Sequence, residues 1–447
     1  MAIREAARWI TSPPVAGEIA ETRPLTARNY AMLWGALCMS LFAFVPGAYL
    51  VPALRLRDAI LVAIVASLAG GAVLGAVAAT AARRRQNTVG LLSSTLGVPA
   101  GGVVAVMLLL RHVIWATFTL AFAANVAGQV PGLGGGKALW GIVLGAIALA
   151  LALLPPRTFV ERWLGWFAFW IGLLLIALIT LTGLTTYGIP VLHEADGMGG
   201  WPTHAQGFDL IAVLPLLWLP VVADYAAEAR SPRDAFTGAF AGSGVMSAWY
   251  AVVGVLWVFT VSARDVGGFI SSIPIGAGAL IIVVALQSNA VAANVYSASL
   301  AGGRFGYRWF RPALFASAIA AGALVVATNA LNVQDFAQLL ASIFLPLFGV
   351  VLARAILAKG PQALSWLAWA AGIIMYGWIN PGDFSPWHHA MNTVFSTVLH
   401  LPFPLGGDLT SLPATVIALA VAFGGYIAVA AAWGAGEAAV ERLRKAD

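Results

Sequence analysis

Residues 214–225 read Leu-Pro-Leu-Leu-Trp-Leu-Pro-Val-Val-Ala-Asp-Tyr, an apolar run with two prolines, Pro215 and Pro220, five positions apart. A proline removes a backbone donor and clashes with the carbonyl four residues earlier, so this pair predicts a broken helix. Where a helix breaks in lipid, the freed backbone groups need new partners. Asp224 lies near the end of the same run, and the sequence leaves its role open.

An earlier apolar segment carries a comparable interruption. Pro46 and Gly47 follow Ser40 within residues 29–53, and we predict a break at this Pro-Gly pair. A kink that faces lipid is one interpretation, and an unwound stretch whose carbonyls bind an ion or a solute is the other. The two interrupted segments lie five spans apart. Paired broken helices in corresponding halves indicate the central site of a secondary transporter.

The composition excludes a soluble globular fold. Of the 447 residues, 61% are hydrophobic and 9% are charged, with a mean hydropathy of +0.89, whereas a soluble domain has about 25% charged residues. Cys38 is the single cysteine, which excludes an intrachain disulfide and a thiolate metal site. The positive residues that give the net charge of +6 lie between apolar runs. They indicate membrane topology and not nucleic-acid binding.

Apolar runs of roughly 20 residues predict membrane helices, and the chain has about twelve of them. The fold class is therefore an all-α integral membrane protein. The predicted spans are 29–53, 59–82, 97–128, 138–156, 163–187, 208–227, 235–262, 268–300, 312–330, 335–353, 362–380 and 410–435.

Lys and Arg residues predict the orientation, because short cytoplasmic loops are rich in them. With the N-terminus inside, nineteen lie in inner segments and four, Arg55, Arg57, Lys137 and Arg264, in outer ones. The first 28 residues lack the apolar core of a cleavable signal. We expect both termini to be cytoplasmic in a cell (inner) membrane, and the Ala-, Gly- and Arg-rich composition favours a bacterial source.

Spans three and eight carry polar residues that lipid disfavours. Arg111, Trp115 and Thr119 are spaced by four and share one stripe near the middle of span 97–128. Gln287 and Asn294, seven residues apart, share a face of span 268–300. We predict that Arg111 binds helix ends. The residues predicted to line a central cavity are Trp115, Thr119, Gln287 and Asn294. Hydrogen bonding between helices is the alternative for Gln287 and Asn294.

These motifs resemble the nucleobase:cation symporter family, which holds cytosine, hydantoin and hydroxymethylpyrimidine permeases, and most of all its hydroxymethylpyrimidine branch. The resemblance extends to about residue 355. It rests on Asn29–Trp34, on Trp115, on Trp218–Tyr225 followed by Ala229-Arg230-Ser231-Pro232-Arg233, and on Ala292-Ala293-Asn294.

The resemblance implies a fold of two inverted five-helix repeats with helices one and six broken, working by alternating access. The repeats are residues 29–187 and 208–358, two further helices lie in 362–435, and residues 1–28 and 436–447 form cytoplasmic tails. The resemblance also implies that the substrate ring stacks on Trp115, that Trp218 closes its other face and that Asn294 hydrogen-bonds its edge.

The resemblance further implies a cation site between broken helix one and helix eight. In sodium-coupled members the ion lies at positions that match Cys38, Leu41, Ala285, Ser288 and Asn289. Because Asn289 stands where a hydroxyl residue is expected, Na+ and H+ both stay open as the coupling ion.

The sequence thus predicts an importer of a small nucleobase-like heterocycle such as hydroxymethylpyrimidine or cytosine, acting as a monomer without a bound cofactor. An amino-acid or other small-solute symporter on the same fold is the nearest alternative. A membrane enzyme should show paired acidic residues inside its spans, and a channel should show repeated pore motifs. The sequence has neither pattern, so we expect neither an enzyme nor a channel. Adjacent His388 and His389, in a wet connection, are interpreted as incidental and not as metal ligands.

Overall fold

The computed structural model describes residues 24–128, 130, 134–188, 197–258, 269–270, 274, 276–327, 333–357, 360–380, 385–403 and 412–446. Within these residues the chain is helical, and extended pairing is limited to an isolated bridge between Leu25 and Ala229. The predictions for residues 1–23, for Arg264 and for Lys359 lie outside the described residues.

The described helices divide between two compact units. The first comprises the described residues of Met1–Asn87 and Ala105–Leu331, and the second those of Thr88–Val104 and Asn332–Asp447. In chain order the helices up to residue 327 are α1 Ala27–Cys38, α2 Leu41–Tyr49, α3 Leu56–Arg84, α4 Thr88–Leu96, α5 Val98–Gly128, α6 Gly136–Ala152, α7 Pro156–Tyr187, α8 His204–Leu216, α9 Leu219–Ala226, α10 Pro232–Trp257, α11 Gly276–Gly303 and α12 Phe310–Ala327.

The helices confirm the expected fold class, an all-α multi-pass membrane protein. Eight of the described helices or helix pairs are long and apolar enough to cross a bilayer, and α1 with α2 adds a ninth span as a bent pair. Two shorter apolar helices, Gly136–Ala152 and Phe310–Val325, match predicted spans four and nine. Helix Gln362–Ile379 matches predicted span eleven.

Helix one is broken, but not where the sequence predicts. The axes of α1 and α2 differ by 73°, and the break falls at Met39 and Ser40. Pro46 instead lies in the first turn of the Phe44–Tyr49 helix, where backbone N–H groups have no partner within the helix and a proline is tolerated. The prediction of a break at Pro46-Gly47 is therefore wrong in position.

Gly47 allows α2 and α10 to pack closely together. A Cβ on Gly47 would lie 2.0 Å from the backbone oxygen of Ala251, and a Cβ on Gly254 would lie 2.0 Å from that of Phe44. Each glycine therefore faces the other helix's backbone, and α2 crosses α10 with no side chain between them. Small residues at such a crossing permit contact between membrane helices at short range.

The Arg-Ser-Pro-Arg turn joins the starts of α1 and α10. Ser231 caps α10 by accepting from the Asp234 backbone N–H at 3.0 Å, and Arg230 forms a bidentate pair with the Asp234 carboxylate at 3.0 Å. That carboxylate also accepts from the Ala27 backbone N–H at 3.2 Å. The Arg230 backbone N–H donates to the Leu25 carbonyl at 2.8 Å. This turn, which carries part of the family resemblance, thus connects the N-termini of α1 and α10 by hydrogen bonds.

In the second unit, α4 packs with α13 Val333–Ile356 and α14 Gln362–Ile379, which both pack on α16 Ala414–Ala446. Arg354 donates to the Ser365 hydroxyl at 3.0 Å and lies 5.7 Å over the Tyr426 ring. His388 and His389 are exposed on α15, Ser385–Asn392. Helix α13 belongs to this unit, whereas the predicted second repeat includes it; the inverted repeats stay a prediction.

Candidate functional site

The break between α1 and α2 is stabilised by a side chain of α11. Ser40, in the break, caps the first turn of α2 by accepting from the Phe42 backbone N–H at 3.3 Å. Its hydroxyl donates to Oε1 of Gln287 on α11 at 2.9 Å. The Gln287 amide in turn donates to its own helix at the Val283 carbonyl, 3.2 Å away. A mid-helix amide therefore fixes the point where helix one unwinds.

The break between α8 and α9 lies between the two prolines, at Leu217 and Trp218. Because Pro220 has no N–H and the Val221 N–H bonds to the Trp218 carbonyl at 2.9 Å, the helical ladder leaves the Leu217 carbonyl without its usual donor. Nη2 of Arg111 donates to that carbonyl. This contact agrees with the expectation that Arg111 binds a helix end.

Arg111 is the centre of a buried polar cluster on α5 and α11. Its Nη1 donates to Oδ1 of Asn294 at 2.5 Å and lies 3.0 Å from Nδ1 of His112. That imidazole nitrogen is also 3.1 Å from Asn294 Oδ1. The Asn294 amide nitrogen donates to the Ala290 carbonyl at 2.8 Å. Arg111, His112 and Asn294 are 2%, 1% and 0% exposed, so the cluster is sealed from solvent and lipid.

Two buried indoles pack against the two halves of the broken first span, α1 and α2. Trp115 packs against Phe42 of α2, with ring centroids 6.2 Å apart. Trp218 packs edge-on against Trp34 of α1 at 6.2 Å. The Arg111 guanidinium lies 5.6 Å over the Trp115 ring, a distance at which a cation is attracted by the ring face.

The structure thus gathers four of the five predicted substrate residues, Trp115, Trp218, Gln287 and Asn294, around the two breaks. Thr119 shares the stripe of Trp115 and is buried, but its hydroxyl donates to the Trp115 carbonyl one turn back, at 3.0 Å. That bond is a local helix contact, which is the usual one for a threonine in a membrane helix.

The predicted cation residues have oxygen atoms, the ligands that alkali cations prefer, but several already bind other partners. The Cys38 carbonyl accepts from the Ser40 N–H at 2.9 Å, and the Leu41 carbonyl accepts from the Phe44 N–H. Ser288 donates to the Leu144 carbonyl of α6 at 3.2 Å. Asn289 Oδ1 accepts from the indole N–H of Trp163 on α7 at 2.6 Å.

In this arrangement the two side-chain oxygens of the cation set point toward α6 and α7. Ala285, the remaining member, is exposed on α11. Ser288 donates and so keeps its oxygen lone pairs, and Asn289 Oδ1 has a second lone pair beside its bond to Trp163. Both oxygens can therefore still bind a cation, and the cation site stays a prediction.

Sequence reasoning missed two contributors to the site. His112 touches both Arg111 and Asn294, and its position directly after a mid-membrane arginine was a usable signal. Trp163 orients Asn289 from 126 positions away, and no local pattern indicates it.

Comparisons with known proteins bear on the fold. No family model matches the chain, and no curated protein sequence matches it. Among solved structures, the chain is similar to Mhp1, a nucleobase-cation-symport-1 family transporter, in a closed conformation with bromovinylhydantoin bound. The TM-score is 0.67 at 15% identity, over 91% of this chain and 92% of that one.

Two further structures show the same likeness. The inward-facing conformation of Mhp1 matches with a TM-score of 0.64 at 15% identity, covering 92% of each chain. The outward-open, substrate-bound state of a Na+-coupled sialic acid symporter matches with a TM-score of 0.53 at 12% identity, over 90% of this chain and 97% of that one. Identities this low establish the fold alone, and the chain has the fold shared by these membrane transporters.

Proposed function

We propose that the protein is a secondary active transporter that imports a small nucleobase-like heterocycle by cation-coupled alternating access. The observation that carries this proposal is the position of the two helix breaks. Ser40 in one break bonds to Gln287, and Leu217 in the other bonds to Arg111. Both breaks therefore lie against polar side chains of α5 and α11. Such an arrangement is expected of the binding site in a transporter with paired broken helices.

The aromatic residues favour a planar substrate. Trp115 and Trp218 supply two large apolar faces at the breaks, and an aromatic ring stacked on indole gains about 0.5–1.5 kcal/mol beyond its apolar burial. Polar groups beside the rings supply discrimination, because a mismatched solute leaves a buried donor or acceptor unpaired at a cost of about 1–3 kcal/mol. In this proposal Trp115, Thr119, Trp218, Gln287 and Asn294 form the substrate site.

Hydroxymethylpyrimidine, cytosine and related pyrimidines or purines are the substrates we propose. Two observations support them: the motif resemblance to the nucleobase:cation symporters, and the fold shared with Mhp1, whose structure holds bromovinylhydantoin. We also propose a cell-membrane protein that functions as a monomer with both termini in the cytoplasm.

The coupling ion is Na+ or H+ in this proposal. A sodium site would use the Cys38 and Leu41 carbonyls at the break, with Ala285, Ser288 and Asn289 on α11. Proton coupling is favoured by Asn289, which stands where the resemblance to sodium-coupled members leads us to expect a hydroxyl residue and whose oxygen accepts from Trp163. The alternative function, an amino-acid or other small-solute symporter, is favoured by the likeness to a Na+-coupled sialic acid symporter.

Uptake into proteoliposomes tests the proposal. Labelled hydroxymethylpyrimidine is offered with cytosine, uracil, hydantoin or adenine as competitors, under an imposed sodium gradient, a proton gradient or neither. We expect saturable uptake that depends on one gradient and falls at least about tenfold in Trp115→Ala, the loss that corresponds to roughly 1.4 kcal/mol.

The matched control is Trp166→Ala, because Trp166 is 83% exposed on α7 and its removal leaves the site intact. If no heterocycle is carried or competes while the protein is folded and correctly inserted, the heterocycle assignment is wrong. Amino acids are then the next substrates to test.

A further inference from the structure

The guanidinium of Arg111 has more hydrogen-bonding capacity than its structural contacts use. Arg111 lies ten residues into the Gly101–Gly128 helix, or about 15 Å from its start at 1.5 Å per residue. Lipid disfavours an arginine at this depth, so the side chain has to face protein or water. Capping Leu217 and binding Asn294 use Nη2 and Nη1, but the buried Nε–H has no partner among the described residues.

The neighbouring imidazole adds a second buried nitrogen of this kind. His112 Nδ1 lies 3.0 Å from Arg111 Nη1, which can only donate. The same Nδ1 also lies 3.1 Å from Asn294 Oδ1, which can only accept, so Nδ1 accepts from Arg111 in one tautomer and donates to Asn294 in the other. Nε2 is buried and has no partner among the described residues. Two consecutive residues thus end in unpaired buried nitrogens. Arg111 Nε is always a donor, so an acceptor atom of a bound solute would satisfy it.

Asn294 holds this pair in place and has one amide N–H left for a solute. Its Oδ1 accepts from Arg111 at 2.5 Å, and its amide nitrogen donates to the Ala290 carbonyl at 2.8 Å. Trp115 lies one turn along α5 with the guanidinium 5.6 Å over its ring. A ring packed against Trp115 would therefore lie next to the Arg111 guanidinium.

We infer that the transported solute presents a planar carboxylate to Arg111, which Asn294 holds in position, with His112 Nε2 as a neighbouring polar group. This inference rests on the proposed function and narrows its substrates to anionic heterocycles, so neutral hydroxymethylpyrimidine and cytosine would bind more weakly. An Nε–H and the second hydrogen of Nη2 form a fork that matches two acceptor atoms of one planar anion. A neutral ring such as cytosine also has acceptor atoms for these donors but lacks the charge that strengthens the hydrogen bonds.

Charge balance also connects such a solute to cation coupling. Asp224 is 6% exposed on α9 and interacts electrostatically with Arg111, so the cluster pairs one positive with one negative side chain before any solute binds. An anion adds one negative charge in a low-dielectric site, where an unbalanced charge is costly. A co-transported cation restores the balance.

The test compares a matched pair of probes on the wild-type protein. Orotate carries a carboxylate on the uracil ring, and methyl orotate carries the neutral ester at the same place. Binding to purified protein is measured by displacement of a labelled heterocycle and by direct calorimetry. We expect orotate to bind at least about tenfold more tightly than methyl orotate, which corresponds to one charge-assisted fork of roughly 1.4 kcal/mol or more.

Variants then assign the preference to Arg111. Arg111→Gln should abolish the orotate preference, since it removes both the charge and the fork, and Arg111→Lys should reduce it, since it keeps the charge without the fork. Arg354→Gln is the matched control, because Arg354 also lies over an aromatic ring and donates to a side chain, but in the second unit. It should keep the preference.

The outcomes separate the two claims. If uracil or cytosine binds in a Trp115-dependent way but wild-type protein prefers methyl orotate or shows no preference, the carboxylate inference is wrong and the proposed function stands. If no heterocycle binds, neutral or anionic, both are wrong. The wild-type comparison decides the inference even where an Arg111 variant fails to fold.

Discussion

The crossing of α2 and α10 gives the sharpest stability prediction. In the structure a Cβ on Gly47 would lie 2.0 Å from the Ala251 oxygen, and one on Gly254 would lie 2.0 Å from the Phe44 oxygen. A carbon and a carbonyl oxygen in contact are about 3.3 Å apart, so Gly47→Ala must separate the two helices by roughly 1.3 Å. Both obstructing atoms are backbone, which cannot rotate away as a side chain can.

The expected magnitude follows from two opposing terms. Overpacking of this kind costs about 1–3 kcal/mol, whereas replacing glycine by alanine in a helix stabilises by roughly 0.5–1 kcal/mol. We expect Gly47→Ala and Gly254→Ala each to lower the free energy of unfolding by about 1–2 kcal/mol. Because either change already opens the same crossing, the double variant should lose less than the sum, with a coupling of roughly 0.5–1 kcal/mol or more.

The assay is unfolding in detergent followed by tryptophan fluorescence, with Gly278→Ala as the control. Gly278 also lies in a membrane helix, but a Cβ there meets nothing within 4 Å, so the control should be neutral or slightly more stable. If Gly47→Ala and Gly254→Ala are as stable as the control, or if their effects are fully additive, the direct backbone crossing is wrong.

Three further predictions concern single contacts around the site. Ser40→Ala removes the donor to Gln287 and the cap of α2, so unfolding titrations should show a loss of about 1 kcal/mol, and an unchanged midpoint would contradict the capping role. Trp163→Phe leaves the Asn289 oxygen without its indole donor and should destabilise by about 1–3 kcal/mol in the same titration; wild-type stability would contradict it. Burial raises the pKa of Glu228, which lies outside the spans. Ionisation of this carboxyl group is therefore more costly in the folded state, and the wild type loses stability as pH rises above the ordinary carboxyl pKa of about 4.3. Glu228→Gln should therefore melt higher than wild type near neutral pH and equally near about pH 4, and a gap that is independent of pH would refute this account.

The sequence predicted the membrane fold because lipid imposes a simple rule on composition. Long apolar runs with few charges must cross the bilayer as helices, since each backbone group has to be satisfied inside its own segment. The same rule made exceptions visible: Arg111 and the Pro215–Pro220 pair are residues that lipid disfavours, and the structure places both at one contact, where Arg111 binds the Leu217 carbonyl.

The sequence failed where the answer depends on contacts between distant segments. Pro46 and Gly47 have the composition of a helix break, yet Pro46 lies in a first helical turn and Gly47 faces the backbone of α10. A proline and a glycine are compatible with a break, a helix start or a tight crossing, and the neighbouring helix selects among these. The actual break at Ser40 has no breaker residue and is stabilised by Gln287, 247 positions away.

By itself, then, the sequence determined that this chain is a helical membrane protein and which buried polar side chains require an explanation, because the cost of placing such groups in lipid is a property of each residue. The tertiary structure decided what those side chains bind. Asn294 uses its amide on Arg111 and Ala290, and Asn289 is occupied by Trp163. Hydrogen bonds of this kind form between helices that lie far apart along the chain, so only their packing determines which donor meets which acceptor.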